Sequence, residues 1–230
     1  DLTDNIVFNN VINIGKDAFY GCGDGWLNLT FNNLECETIG SSAFNSFNGT
    51  VNLYGNVNNI QNNAFYNFND NDNFQVNANL RGITRIADNN FYNIKGGDIS
   101  LEVNNVDIVQ STFSSCSASI KISGTIQNIN QGAFGYCSAG INISGTIQSI
   151  GKDAFDHCEE TIIELYNSSL IPIDNNPYSG GDPLTIYVLP SLVEKYNNKD
   201  IYANFEDLSD NQAHTTNDDK YAVRSNAADF

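Results

Sequence analysis

The sequence predicts a solenoid, a coil of short parallel strands and helical turns, and three observations predict it. Phenylalanine recurs at Phe19, Phe44, Phe65, Phe91, Phe113, Phe134 and Phe155, with spacings of 25, 21, 26, 22, 21 and 21 residues. A period in the low twenties marks stacked repeats. Five residues before every one of these anchors stands an isoleucine: Ile14, Ile39, Ile60, Ile86, Ile108, Ile129 and Ile150. After each anchor comes a short alternating run, as in Leu27-Asn28-Leu29, Val51-Asn52-Leu53, Ile120-Lys121-Ile122 and Ile141-Asn142-Ile143. Alternation with β-branched residues signals a half-buried strand.

Each rung then reads as a strand, a turn, a second short extended piece and a helical turn carrying the alanine-phenylalanine pair. The second piece is clearest in Gly124-Thr125-Ile126 before Ile129 and in Gly145-Thr146-Ile147 before Ile150. One rung cannot bury its own apolar side, so stability comes only from stacking on neighbours. Burial of one phenylalanine contributes roughly 1.5 to 3 kcal/mol. The anchor column is therefore expected to be core.

The phrase Ile-Gly-Lys-Asp-Ala-Phe-x-x-Cys occurs at Ile14–Cys22 and again at Ile150–Cys158, with a variant at Ile129–Cys137. This phrase, repeated across roughly residues 6 to 208, resembles the bacterial leucine-rich-repeat class typified by the BspA-like surface proteins. The resemblance implies a right-handed leucine-rich-repeat solenoid, a cell-surface or secreted location in a bacterium, and a role in adhesion or protein binding. It carries no enzymatic residues. Asn90 and Thr112 depart from the pattern by replacing the alanine before the anchor, so those two rungs are expected to be looser.

In chain order, residues 1–13 read as a partial N-terminal rung and residues 14–189 as a solenoid of about eight rungs. Ile173 and Tyr178 are a worn eighth copy of the anchor pair. Residues 190–208 read as a C-terminal helical cap, opened by Pro190 with Leu192, Val193 and Tyr196 on one side. Such a cover is needed because the last rung of an array exposes apolar side chains and an unpaired edge. Residues 209–230 read as a polar tail or linker. Extra residues lengthen the turns at Gly23-Asp24-Gly25 and Asn69–Asn73; the latter lacks the glycine and glutamate of a calcium loop.

Composition narrows the partner. Ten basic against 27 acidic residues give a net charge of −17. Nucleic acid is excluded as an expected partner, since phosphate binding needs a basic stripe. No apolar run approaches the ~20 residues of a membrane helix, so direct membrane insertion is not expected. The chain has no methionine and no apolar leader, which leads to the expectation of a segment processed or cut from something longer.

Cys22, Cys116, Cys137 and Cys158 each stand three residues past an anchor, a slot that holds Phe47, Phe68 and Ile94 in other rungs. A slot shared with phenylalanine and isoleucine is apolar packing. A disulfide between consecutive rungs is the alternative, and a metal is less favoured because no histidine shares the column. The two histidines, His157 and His214, supply no nucleophile–base arrangement, because adjacent His157 and Cys158 project differently. No phosphate loop and no zinc-ligand spacing occur. No catalytic residue, cofactor or metal is expected.

What a solenoid offers instead is its outward strand residues. One column is expected to be Asn28, Asn52, Gln75, Ser100, Lys121, Asn142, Glu164 and Tyr187, and a second Thr30, Tyr54, Asn77, Glu102, Ser123, Ser144 and Tyr166. Tyrosine brings large rigid contact area together with a hydroxyl. The expected function is a non-catalytic extracellular module that binds a protein or glycan of unknown identity through this face. Alternatives are a structural spacer presenting another domain, and a carbohydrate-binding surface with tyrosines stacked on sugar rings.

Overall fold

Alternating apolar residues extend the chain, and left-handed residues around each anchor turn it back, so the backbone coils. The computed structural model describes residues 4–180 and 184–209. Its strands are β1 (Asn5–Asn9), β2 (Leu27–Ile39), β3 (Gly49–Ile60), β4 (Gln75–Ile83), β5 (Arg85–Ile86), β6 (Asp98–Ile108), β7 (Ser119–Ile129), β8 (Ile141–Ile150), β9 (Thr161–Leu165), β10 (Leu184–Val188) and β11 (Ala203–Asp207). Between the last two lies α1 (Pro190–Asn197), the one α-helix among the described residues. The strands form one parallel sheet in the order β1-β2-β3-β4-β6-β7-β8-β9-β10-β11, with β5 against β3. Spatial order follows chain order, so each rung packs only on its neighbours: the fold is the expected parallel solenoid.

The strand and the second extended piece, read separately in the sequence, are continuous. In β8 the chain bends at Gly145, whose φ is 141°. A Cβ there would lie 1.9 Å from the carbonyl oxygen of Gly124 in the rung below, so only glycine lets the two backbones approach at this corner.

The helical turns are single i,i+3 turns rather than α-helix: Tyr20 N–H donates to Asp17 and Cys22 N–H to Phe19, both at 3.2 Å. Two residues before the anchor the backbone is left-handed in all seven rungs, at Asp17, Ser42, Asn63, Asn89, Ser111, Gly132 and Asp153. Asparagine, aspartate, serine and glycine tolerate that conformation best, which accounts for their abundance here. The anchor N–H of each rung donates to the residue before the next anchor, from Phe19 to Ala43 at 2.7 Å through Phe155 to Pro177 at 3.0 Å. The turns are thus tied rung to rung by main-chain hydrogen bonds, as the strands are.

Inside, the anchor rings form one column. From Phe19 to Phe155 successive ring centroids lie 5.2, 5.2, 5.0, 5.0, 5.0 and 5.0 Å apart, with planes within 11° of parallel. The spacing follows from the sheet, whose strands lie about 4.8 Å apart. Each such pair adds roughly 0.5 to 1.5 kcal/mol beyond area burial. The isoleucine column beside it, Ile14 to Ile150, is buried throughout, and of the seven anchors only Phe19, on the first anchored rung, is partly exposed.

Three expectations are corrected. The rungs at Asn90 and Thr112 are not loose. Asn90 is fully buried; its Oδ1 accepts the Ala64 N–H at 3.0 Å, and its Nδ2 donates to the carbonyls of Ala87 at 2.6 Å and Ile60 at 3.3 Å. Thr112 Oγ1 donates to the Val109 carbonyl at 2.8 Å. A buried polar residue with its hydrogen bonds made holds its rung rather than loosening it. Second, Cys22 is exposed, because it belongs to the first anchored rung and no anchored rung covers it. Third, Phe68 is 69% exposed; the insertion after it brings Phe74 into the core instead, 5.9 Å from Phe47.

At the far end, Leu192 and Tyr196 of α1 are buried, and the Tyr196 ring stacks on Phe205 at 4.6 Å. The Tyr196 hydroxyl accepts the Ile171 N–H at 2.8 Å. Residues 203–207 are strand, paired in parallel with β10, so the segment 190–208 combines a helix with a further strand of the sheet. The tail expected over 209–230 lies, beyond Ser209, outside the described residues.

Candidate functional site

Side chains alternate along each strand, so the residues between the buried apolar ones form the outer face of the sheet. That face collects fourteen of the fifteen expected residues in paired rows, though not the expected ones, and Tyr166 follows just past the end of β9. Asn28, Thr50 and Gln75 are aligned, as are Thr30, Asn52 and Asn77. Tyr54, Asn79, Ser100, Lys121 and Asn142 form a third row, and Glu102, Ser123, Ser144, Glu164 and Tyr187 a fourth. Relative to the row of Ser100, the two expected columns are therefore out of step by two residues at β3, by four at β4, and by two again at β9 and β10. An even shift keeps every side chain on its face and changes only its neighbour.

The rows differ in chemistry. Asn77 Nδ2 donates to Asn52 Oδ1 at 2.9 Å, and Asn52 Nδ2 donates to Thr30 Oγ1 at 3.2 Å. Asn77 Oδ1 in turn accepts the Asp98 N–H at 3.2 Å, so this row spends its polar groups internally. Near the C-terminal end Glu164 and Tyr187 are each 4% exposed, and the Tyr166 hydroxyl donates to Glu164 Oε2 at 2.9 Å. Burial and the neighbouring Glu164 charge push the Tyr166 hydroxyl up, and burial with Glu206 does the same to Tyr187. Both phenols stay protonated and bound. Of the three expected tyrosines only Tyr54 is well exposed, at 42%.

Between these ends lies the open part, Ser100, Lys121 and Asn142 beside Glu102, Ser123 and Ser144, on three strands in unbroken register over these positions. Behind them Ile99, Ile120, Ile141, Leu101, Ile122 and Ile143 are all buried.

Around Tyr54 the sheet is irregular. β2 carries one extra residue between Phe31 and Leu34, and β4 carries one between Leu80 and Ile83, so β3 is flanked by a bulge on each side. Asn33 takes φ 52° and Gly82 φ 72° to make them. A depression of about 310 Å³ opens there, lined by Asn33, Leu34, Glu35, Tyr54, Gly55, Asn56, Asn79 and Arg81. Asn56 Nδ2 donates to Glu35 Oε1 across it at 2.9 Å. Sequence reasoning names only Tyr54 of this set. The signal for the rest is the excess length of the rungs after Phe19 and Phe65, which the sequence reading assigns wholly to turns.

The positions with reactive side chains do not converge. Cys158 Sγ donates to the Phe134 carbonyl at 2.8 Å inside the core, while the His157 ring lies outside, stacked on Tyr136 at 4.9 Å. His157 Nδ1 meets Asp156 Oδ1 at 2.8 Å, and the Ser179 hydroxyl binds that same carboxylate oxygen. With the carboxylate in the middle, the serine is not delivered to the imidazole as nucleophilic activation requires. Cys116, Cys137 and Cys158 are unpaired buried thiols. Among the described residues no group of three histidine, cysteine, aspartate or glutamate side chains is placed to hold a metal ion, and no helix is long and apolar enough to cross a membrane.

Residues 1–119 and 107–217 match the family described as the BspA type leucine-rich repeat region, in six copies. The chain belongs to this family. No curated protein and no solved structure matches it. Membership, with the observed coil, places the leucine-rich-repeat chain among repeat modules of the protein-interaction or surface type, a fold that is typically non-catalytic.

Proposed function

We propose that this leucine-rich-repeat chain is a non-catalytic, extracellular module that binds a protein partner through the outer face of its sheet, as an adhesive element of a bacterial surface. The observation that supports it is the open area formed by Ser100, Lys121, Asn142, Glu102, Ser123 and Ser144. These side chains are partly or fully exposed, fixed in register by three strands, and backed by a buried isoleucine and leucine layer. A surface that does not reorganise loses little conformational freedom on binding. Its mixed polar composition with one cation and one carboxylate suits the polar rim and hydrogen-bond density of a protein interface. The net charge of −17 favours a basic patch on the partner and an association that weakens with salt.

The test is biolayer interferometry of the purified chain against immobilised collagen, fibrinogen and laminin. Ser123→Arg and Ser144→Arg project from the face without touching the core. Binding by the parent chain that falls at least about tenfold in both variants, at unchanged melting temperature, is the expected result. Binding to none of the three proteins, or binding that both variants retain, overturns the reading.

A further inference from the structure

We propose that the depression around Tyr54 is a second, separate binding site and that it takes a single neutral pyranose ring of a glycan. It lies on the same face as the protein-binding area but uses other residues, and it sits where both neighbours of one strand are bulged. Two bulges flank β3, one at Asn32 and Asn33 in β2 and one at Arg81 and Gly82 in β4. A bulge re-aims the side chains of its strand, and Asn33 and Arg81, one from each bulge, both line the depression. Gly55, at the floor, lies against the Leu34 backbone, where a Cβ would fall 2.4 Å from the carbonyl oxygen, so only glycine lets β2 and β3 approach beneath the depression.

The lining chemistry selects among ligands. Three side-chain amides, Asn33, Asn56 and Asn79, one carboxylate, Glu35, and one guanidinium, Arg81, surround one exposed phenol ring. An apolar ligand is disfavoured, because these polar groups would lose water without gaining partners. An isolated phosphate or carboxylate is disfavoured because Glu35 stands opposite the one cation, leaving the lining formally uncharged in a chain of net charge −17. A sugar answers both constraints. Its adjacent hydroxyls each donate and accept, which matches planar amide, carboxylate and guanidinium groups that bind in pairs. Its C–H face lies flat on an aromatic ring, and Tyr54 is 42% exposed at the edge of the site. Glu35 is already oriented by Asn56 at 2.9 Å, and among the described residues Arg81 makes no salt bridge that would hold it away. A volume of about 310 Å³ is at the small end of ligand sites and fits one ring, the rest of a glycan running out over the sheet.

The experiment is saturation-transfer difference NMR on the full chain with methyl glycosides of glucose, galactose and mannose and with N-acetylglucosamine, each at about 10 mM, suited to millimolar affinity. At least one sugar is expected to show transfer. That signal is expected to vanish in Tyr54→Ala, to survive in Tyr54→Phe, and to weaken by about tenfold in Arg81→Ala or Asn79→Ala. Tyr54, Asn79 and Arg81 carry no core packing, so the variants are expected to melt with the parent. No transfer from any of the four sugars, or transfer undiminished in Tyr54→Ala, overturns the proposal. Ser123→Arg leaves the sugar signal unchanged here, and Tyr54→Ala leaves protein binding unchanged in the interferometry, so each reading fails on its own.

Discussion

The side-chain oxygen of Asn90 accepts the main-chain N–H of Ala64 at 3.0 Å, so a residue in one rung closes the backbone of its neighbour. Most other rungs have alanine at this position, and a consensus argument makes Asn90→Ala stabilising. The opposite is expected. The substitution deletes three buried hydrogen bonds and destabilises by about 1 to 3 kcal/mol. Urea unfolding decides it: a midpoint equal to or above the parent's contradicts the role given to this asparagine.

Phe113 and Phe68 separate the spine from its imitation. Phe113→Ala empties a fully buried position between two stacked rings and is expected to cost about 3 to 5 kcal/mol. Phe68→Ala, on an exposed ring, is expected to stay within about 0.5 kcal/mol of the parent. Thermal melts of the pair read the difference directly, and comparable losses refute the assignment.

Gly145 and Gly132 both have positive φ, yet only the first faces backbone. Gly132→Ala meets nothing within 4 Å and is expected to cost about 1 to 2 kcal/mol for its left-handed φ of 63°. Gly145→Ala brings a methyl onto the Gly124 carbonyl and is expected to cost more, unfolding the chain or pushing β7 and β8 apart. Hydrogen exchange on the amides of β8 would show the separation; identical protection in both variants excludes it.

The thiols make stability depend on alkaline pH. Burial pushes Cys36 from 9.0 to about 11 and Cys116 to about 12, and Cys137 is raised by the neighbouring Cys158 thiol and by burial. A folded-state value above the unfolded one means the contribution is complete below about pH 9 and is lost as pH rises toward 11 and 12. The phenols of Tyr166, Tyr187 and Tyr196 act in the same direction. The urea midpoint is therefore expected to fall steadily above about pH 9. In the native state a thiol reagent is expected to modify Cys22 quickly and the four buried cysteines only on unfolding.

The solenoid is legible in the sequence because two strictly spaced columns, isoleucine and phenylalanine, both face the core, where a misplaced residue is costly. Ser100, Lys121 and Asn142 align as expected because their rungs have uniform length. Asn52 falls outside the row of Asn28 and Gln75, and that row does not continue into Ser100, since strand register is set by where extra residues lodge, and the count alone does not say whether turn or strand absorbs them. The burial of Glu164 and Tyr187 is hidden for another reason. It depends on hydroxyl–carboxylate pairing near the sheet's end, which leaves no periodic trace. The depression at Tyr54 combines both difficulties.

Because every inter-rung hydrogen bond runs along the axis of the coil, tension between the two ends loads those bonds one layer at a time. The molecule should extend in a sawtooth of small, near-equal steps, each releasing one rung of about twenty residues. A tether with that response absorbs a pull by lengthening before it lets go.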